Sequence, residues 1–214
     1  MTESTSVLRR YTDLASLLDL LQRRAITLLP PSTWDDGNDR LMMSTYKECR
    51  GLNTLLALCL TSREETYHHW RVFTDRSNGV CVVFRREAFT RVMTEAGVEV
   101  NTMNYLKLDE LDIDKYPVLQ LPFLKRAAFQ DEGEVRAVYG KKALEKGLKR
   151  VGISLDLIEV VRLNPWMPKP VADSVRETIQ LLRGDANFKV SRSALIDAKG
   201  WREFAAKYKN PDFS

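Results

Sequence analysis

Histidine is nearly missing from this chain of 214 residues, which has only His68 and His69, side by side. Adjacent residues on a helix diverge by about 100 degrees, so both rings cannot reach one ion from the same face, and no metal site is expected. Cysteine is almost as scarce. Cys49, Cys59 and Cys81 lie far apart, are odd in number and form no CxxC pair, which argues against a zinc site or a disulfide framework and suits a reducing cytoplasm. Cys59 and Cys81 fall in apolar runs, as small core residues do. No apolar stretch approaches the roughly 18 residues of a membrane span. The opening MTESTSVLRRYTDLASLLDLL has no basic segment leading into a continuous apolar run, so the expectation is a cytoplasmic protein away from membranes. The glycines are too scattered for a phosphate loop of either common type. No Gly-x-Ser-x-Gly elbow is present, and no cysteine stands beside a plausible base, so neither common nucleophile arrangement is indicated.

With 44% hydrophobic and 29% charged residues, the composition is that of an ordinary globular protein, and one domain is expected over residues 1–214. The net charge of +4 is unevenly spread. Residues 141–214 hold 15 Lys+Arg against 9 Asp+Glu, and the densest run is Lys141, Lys142, Lys146, Lys149 and Arg150. That run could contact nucleic-acid phosphates; with acids interspersed, it equally describes a solvated helix face.

VLRRY suggests a first strand, and Thr12 can cap a helix through DLASLLDLLQRR, where Leu14, Leu17, Leu18 and Leu21 recur at helical spacing. AITLLPP suggests a short strand stopped by two prolines before a polar turn, STWDDGNDR. LLALCLTS and VCVVF have the continuous apolar character of buried strands, separated by a helix EETYHHWRVF with a Ser62/Glu65 capping box. VEVNTMNYLK suggests another strand, VLQLPFLKRAAF a helix broken at Pro122, and KKALEKGLKR a helix. LIEVVRL then gives a strand, PVADSVRETIQLLR a helix, FKVSRS a last strand and GWREFAAKYK a closing helix. The expected fold is α+β, a single compact domain with a mixed, mainly antiparallel sheet flanked by helices.

Four stretches could carry chemistry. In FQDEGEVRAVY, an extended Glu132–Tyr139 would put Glu132, Glu134, Arg136 and Val138 on one face and Val135, Ala137 and Tyr139 on the other. The charged face is either solvated surface or the floor of a cleft. In YHHWRVF, Tyr67, Trp70 and Arg71 share a helical side, where the tryptophan either anchors the helix or stacks a planar ligand while Arg71 pairs with an anion. LRRYTDL sets Arg10, Tyr11 and Thr12 at the junction of a strand with a helix N-terminus, a place that favours anions. STWDDGNDR suits a loop rimming a cleft with Trp34 folded inward.

The order of RRYTDLASLLDLLQRRAITLLPPSTWDDGND, HHWRVFTDRSNGVCVVF, FLKRAAFQDEGEVRAVY and LIEVVRLNP resembles the bacterial family called domain of unknown function 2971. This chain departs from it in having DDGND at an Asn-Asp-Pro-Phe-Glu-like turn and Phe73 where a tyrosine is usual. The resemblance implies no established activity. The order of an arginine-bearing first strand, a middle aromatic helix and a late acidic strand is also similar to that of NAD-dependent ADP-ribosyltransferases among bacterial toxins and phage-defence effectors. By that similarity Glu134 is the catalytic acid, Arg10, Tyr11, Thr12 and Arg71 hold NAD, Trp70 or Tyr67 flanks the nicotinamide, and Trp34, Glu132 and Arg136 complete the cleft. The alternative is a non-catalytic sensor in which the same residues bind a nucleotide, nucleic acid or partner protein.

Overall fold

The computed structural model describes residues 6–208 apart from positions 76 and 146. The chain begins with β1 (Val7–Asp13), α1 (Leu14–Arg23) and β2 (Ala25–Leu28), then α2 (Gly37–Cys49), β3 (Thr54–Thr61), α3 (Tyr67–Phe73), β4 (Gly79–Arg85) and α4 (Arg86–Glu95). It continues through β5 (Glu99–Thr102), β6 (Asn104–Leu106), β7 (Leu124–Arg126), β8 (Glu134–Lys141), β9 (Lys149–Gly152), β10 (Ile158–Leu163), α5 (Lys169–Arg183), β11 (Lys189–Arg192) and α6 (Lys199–Lys207). Seven strands form the main sheet in the order β11-β10-β4-β1-β3-β8-β5; every pairing is antiparallel except β10 with β11. The fold is the α+β arrangement with a mainly antiparallel mixed sheet that the element pattern leads one to expect.

The sheet is covered on both faces, which is why β3 and β4 are apolar at most positions. Leu8, Leu58, Val82 and Ala137 face a core shared with Leu17 and Leu21 of α1, Phe89 of α4 and Ile179 of α5. On the other face, Met43 and Tyr46 of α2 pack on Ala57 and Val138, while Trp70 of α3 packs on Cys81 and Val83.

Several local expectations are corrected. Asp13, not Thr12, caps α1, its carboxylate accepting from the Ser16 N–H at 2.7 Å, so Thr12 remains in β1. No Ser62/Glu65 box opens α3. Thr66 caps it instead, because the Glu65 carboxylate is already taken by the Trp70 indole N–H at 2.7 Å and by Arg162 at 2.5 Å. The DDGND turn leads into a 13-residue helix, α2, capped by Asp36 and held down by Met43 and Tyr46. VLQLPFLKRAAF is two 3-10 turns around the short β7, since Pro122 interrupts helical bonding. VEVNTMNYLK is two strands broken at Met103, whose N–H goes to the Glu134 carbonyl at 3.0 Å. The described residues of KKALEKGLKR hold no helix: they join β8 to β9, pinned by the Glu145 N–H on the Thr54 hydroxyl at 2.8 Å.

Candidate functional site

The site begins with a gap in hydrogen bonding. β1 is paired along its whole length with β4, and β3 with β8, yet β1 and β3 meet only at Arg9 and Thr61. Beyond that point the strands part. Ala57 exchanges main-chain hydrogen bonds with Leu29 instead, at 2.8 and 3.1 Å. Alternate residues in an antiparallel strand direct their N–H and C=O to the same side, so those of Cys59 and Tyr11 face the opening from its two edges. A cleft of about 520 Å³ occupies the split, lined by Arg10, Tyr11 and Thr12, by Ala57–Thr61, and by Trp34, Phe73, Phe129, Lys125, Asp39, Glu132 and Glu134, among others.

At one end of the cleft, β8 supplies Glu134 and Arg136 on one face while Val135 and Ala137 enter the opposite core. The charged face is neither solvated nor wholly open: Arg136 is 0% exposed and Glu134 3%. Arg136 Nε donates to Glu134 Oε1 at 2.8 Å and Nη2 to Oε2 at 3.0 Å. Its Nη1 and Nη2 donate to Asp39 of α2 at 2.9 and 2.7 Å, Nη1 also reaches the Pro122 carbonyl at 2.9 Å, and the guanidinium lies 4.6 Å from the Trp34 ring centre. Lys125 donates to Glu132 and, at 3.0 Å, to Glu134 Oε2. Glu132 is not in the strand. It ends a 3-10 turn, and Gly133 follows at φ 52°, where a Cβ would stand 2.3 Å from Arg63 Cγ.

Burial would raise the Glu134 pKa, but Arg136 and Lys125 outweigh it and hold the carboxyl at about 2. Glu132 moves the other way: burial pushes its pKa up, Lys125 opposes, and the nearby Glu134 and Asp39 add to the rise. The cluster sets three acidic side chains, Asp39, Glu132 and Glu134, against two basic ones, Lys125 and Arg136, an excess of one acid beneath the protein surface that favours a cation in the cleft. The Cys59 thiol also faces the Glu134 carboxylate. It is exposed to the cleft rather than sitting in the core, whereas Cys81 is fully buried, as expected.

Arg10 and Arg9 have different surroundings. Arg9 donates to the Arg63 carbonyl at 2.8 Å and to Glu64 at 3.0 Å. Among the described residues Arg10 makes no hydrogen bond or ion pair, although burial opposes its charge and lowers its pKa. An unpaired, half-buried guanidinium on a cleft wall is a place for an anion. Tyr11 borders the same wall, its ring packed against His69 and Trp70 with centroids at 5.3 and 5.1 Å, and its buried hydroxyl faces the Cys81 thiol.

Arg10, Tyr11, Thr12, Trp34, Glu132 and Glu134 are thus brought to one cleft, with Arg136 beneath it. Tyr67, Trp70 and Arg71 are not among its lining. Trp70 is 1% exposed and belongs to the core, its ring packed on Cys81 and Val83 and its indole N–H held by Glu65. Tyr67 and Arg71 form an outer cluster in which Arg71 Nε donates to the Tyr67 hydroxyl at 3.0 Å and the guanidinium stacks 4.1 Å from the Trp166 ring. α3 contributes Val72 and Phe73 to the cleft instead. Sequence reasoning also missed Asp39 and Lys125. A lone lysine inside the apolar VLQLPFLKRAAF was a usable signal, since a cation there requires a buried acid. Of the basic run, Lys141 and Lys142 are exposed, Lys149 lies 4.1 Å from the Tyr139 ring centre, Arg150 pairs with Asp19 at 3.3 Å, and Lys146 lies outside the described residues. Among the described residues no side-chain cluster is arranged to hold a metal ion, and no helix is long and apolar enough to cross a membrane.

No family model matches the chain and no curated protein matches it, so the resemblance to domain of unknown function 2971 stands on motif order alone. Among solved structures, the chain is similar to DarT from Thermus sp. 2.9 in complex with NAD+, with 11% identity over 90% of this chain and 98% of that one, and a TM-score of 0.47. The same protein in complex with ADP-ribosylated ssDNA gives 11% identity, 88% and 94% coverage and a TM-score of 0.45; with carba-NAD+ it gives 12%, 90% and 97%, and 0.41. At TM-scores below 0.5 such likeness decides neither ligand nor chemistry for this chain.

Proposed function

We propose that the protein is an NAD-dependent transferase of the ADP-ribosyltransferase kind, a cytoplasmic effector of bacterial toxin or phage-defence type. The observation that carries this reading is the meeting, within one split of the sheet, of Arg10, which makes no hydrogen bond or ion pair among the described residues, with an acid-rich cluster around Glu134. Arg10 suits the pyrophosphate, and the Thr12 hydroxyl lies on the same wall. A carboxamide has one donor group and one acceptor, and a strand residue's free N–H and C=O match it; Tyr11 and Cys59 each offer such a pair. In the reaction the bond from the ribose carbon to the nicotinamide nitrogen breaks, and nicotinamide leaves with its electron pair. The sugar becomes cationic, the acceptor's nucleophile forms the new bond, and its proton passes to a base.

Glu134 supplies the charge opposite that cation. Arg136 and Lys125 both donate to Oε2, whereas Oε1 accepts one guanidinium bond, which leaves it the oxygen suited to a ribose hydroxyl. Glu132, the acid with the raised pKa, is the group suited to take the acceptor's proton. Calorimetric titration with NAD, followed by mass spectrometry of protein and nucleic acid for an ADP-ribosyl addition, tests the reading. Failure of the folded protein to bind NAD would overturn it.

The engagement of both Glu134 oxygens favours a second reading, a non-catalytic module binding a nucleotide, nucleic acid or partner protein, in which the ion network only shapes the pocket. NAD bound but never cleaved would select it.

A further inference from the structure

Lys125 stands apart from the sheet that carries the other charged groups of the site. It lies on β7, a three-residue strand paired in parallel with β6, and its side chain is 9% exposed. From there the ammonium reaches three carboxylates: it donates to Glu132 and to Glu134 Oε2 at 3.0 Å, and stands 3.7 Å from Asp39 Oδ2. The two other acids have a second cation. Arg136 binds Asp39 and Glu134 side-on with every nitrogen of its guanidinium, and none is directed at Glu132. For Glu132, 7% exposed, Lys125 is the one ion-pair partner among the described residues.

We propose that Lys125 is a positioning residue: its ammonium, shared by Glu132 and Glu134, holds Glu132 as a carboxylate at a fixed place beside Glu134. A buried acid facing two others would otherwise take up a proton near neutrality. The groups around Glu132 are Lys125 on β7, Glu134 on β8, Asp39 on α2, Tyr105 on β6 and, through the Glu132 carbonyl, His69 on α3. Only Lys125 among them brings a positive charge directly to the Glu132 oxygens. That this makes Glu132 a proton acceptor in catalysis rests on the transferase reading; the hold on its charge does not.

The test is carbon-13 NMR titration of the free protein carrying carboxyl-labelled glutamate, with the Glu132 signal assigned by its loss in Glu132→Gln. Lys125→Met should raise the midpoint of Glu132 by at least one pH unit, and Lys125→Arg should return it close to wild type. An unmoved midpoint in a folded Lys125→Met, or an equal displacement in Lys125→Arg, would overturn the proposal. Should Lys125→Met not fold, adding Glu132→Gln should restore folding by removing the acid left unpaired. A double variant that also fails to fold would show that Lys125 serves packing, against the proposal. With NAD, the acid limb of the pH profile for cleavage should move up in Lys125→Met and return close to wild type in Lys125→Arg. If no variant cleaves NAD but the Glu132 midpoint moves as stated, the positioning role stands and the transferase reading fails separately.

Discussion

Arg136 and Asp39, 97 positions apart in the chain, meet through two parallel hydrogen bonds of 2.9 and 2.7 Å with the guanidinium fully buried. The pair ties α2 to the sheet beneath the cleft. Removing the cation leaves Asp39 and Glu134 short of a buried partner, which typically costs about 3 to 5 kcal/mol. Arg136→Met is therefore expected to lower the unfolding free energy by about that much in urea titrations. Arg136→Lys should recover little, because an ammonium cannot reproduce the paired bonds to both acids. A folded Arg136→Met of wild-type stability would show that the network contributes nothing to the fold.

Acid should weaken the fold through Glu134. Its carboxyl titrates at about 2 in the folded protein against an ordinary value of 4.5, so the stabilisation is complete above about pH 4.5 and is lost as pH falls toward 2. The full effect is on the order of 3 kcal/mol. Glu132, with a raised pKa, has the opposite sign and partly offsets this loss. Urea midpoints measured from pH 2 to 6 should slope less steeply in Glu134→Gln than in wild type, and identical slopes would refute the assignment.

Arg10 should matter to the ligand and hardly to the fold. It has no hydrogen bond or ion pair among the described residues, and burial opposes its charge, so Arg10→Gln is expected to leave the melting temperature unchanged or raise it. A lost charge-assisted contact of about 1.5 to 3 kcal/mol corresponds to an affinity for NAD roughly 10- to 100-fold weaker. A marked loss of stability without any change in affinity would make Arg10 structural.

Trp70 should behave in the reverse way. Its ring fills a core with Cys81 and Val83, so Trp70→Ala is expected to cost about 3 to 5 kcal/mol. Trp70→Phe should fold, with the loss of the bond to Glu65, and bind NAD within threefold of wild type. Direct loss of NAD affinity in folded Trp70→Phe would bring the ring back into the cleft.

The alternation of Glu134 and Arg136 against Val135 and Ala137 was legible because a strand has a period of two and a wrong register would bury charge in the core. Arg10 and Thr12 were legible as neighbours for the same reason. The orientation of Trp70 was not, since helical spacing shows which side chains share a side but not which side meets the sheet. α2 was hidden because Asp35, Asp36, Gly37 and Asn38 are turn residues as readily as they are a helix cap. The link from Asp39 to Arg136 has no local signature at all: it arises only when α2 is laid across β8. The parting of β1 from β3 is likewise a tertiary event, since nothing in either strand's sequence forbids pairing beyond Arg9 and Thr61.

The most direct test of the central claim is nicotinamide release from NAD by wild type and Glu134→Gln, with NAD affinity measured on the same samples. The account predicts that wild type releases nicotinamide when offered protein and nucleic-acid acceptors. It predicts that the Gln variant folds, binds NAD within threefold of wild type and releases nicotinamide about 100- to 1,000-fold more slowly, the usual effect of removing one preorganised charge-stabilising group. Equal release rates in wild type and folded Glu134→Gln would contradict it.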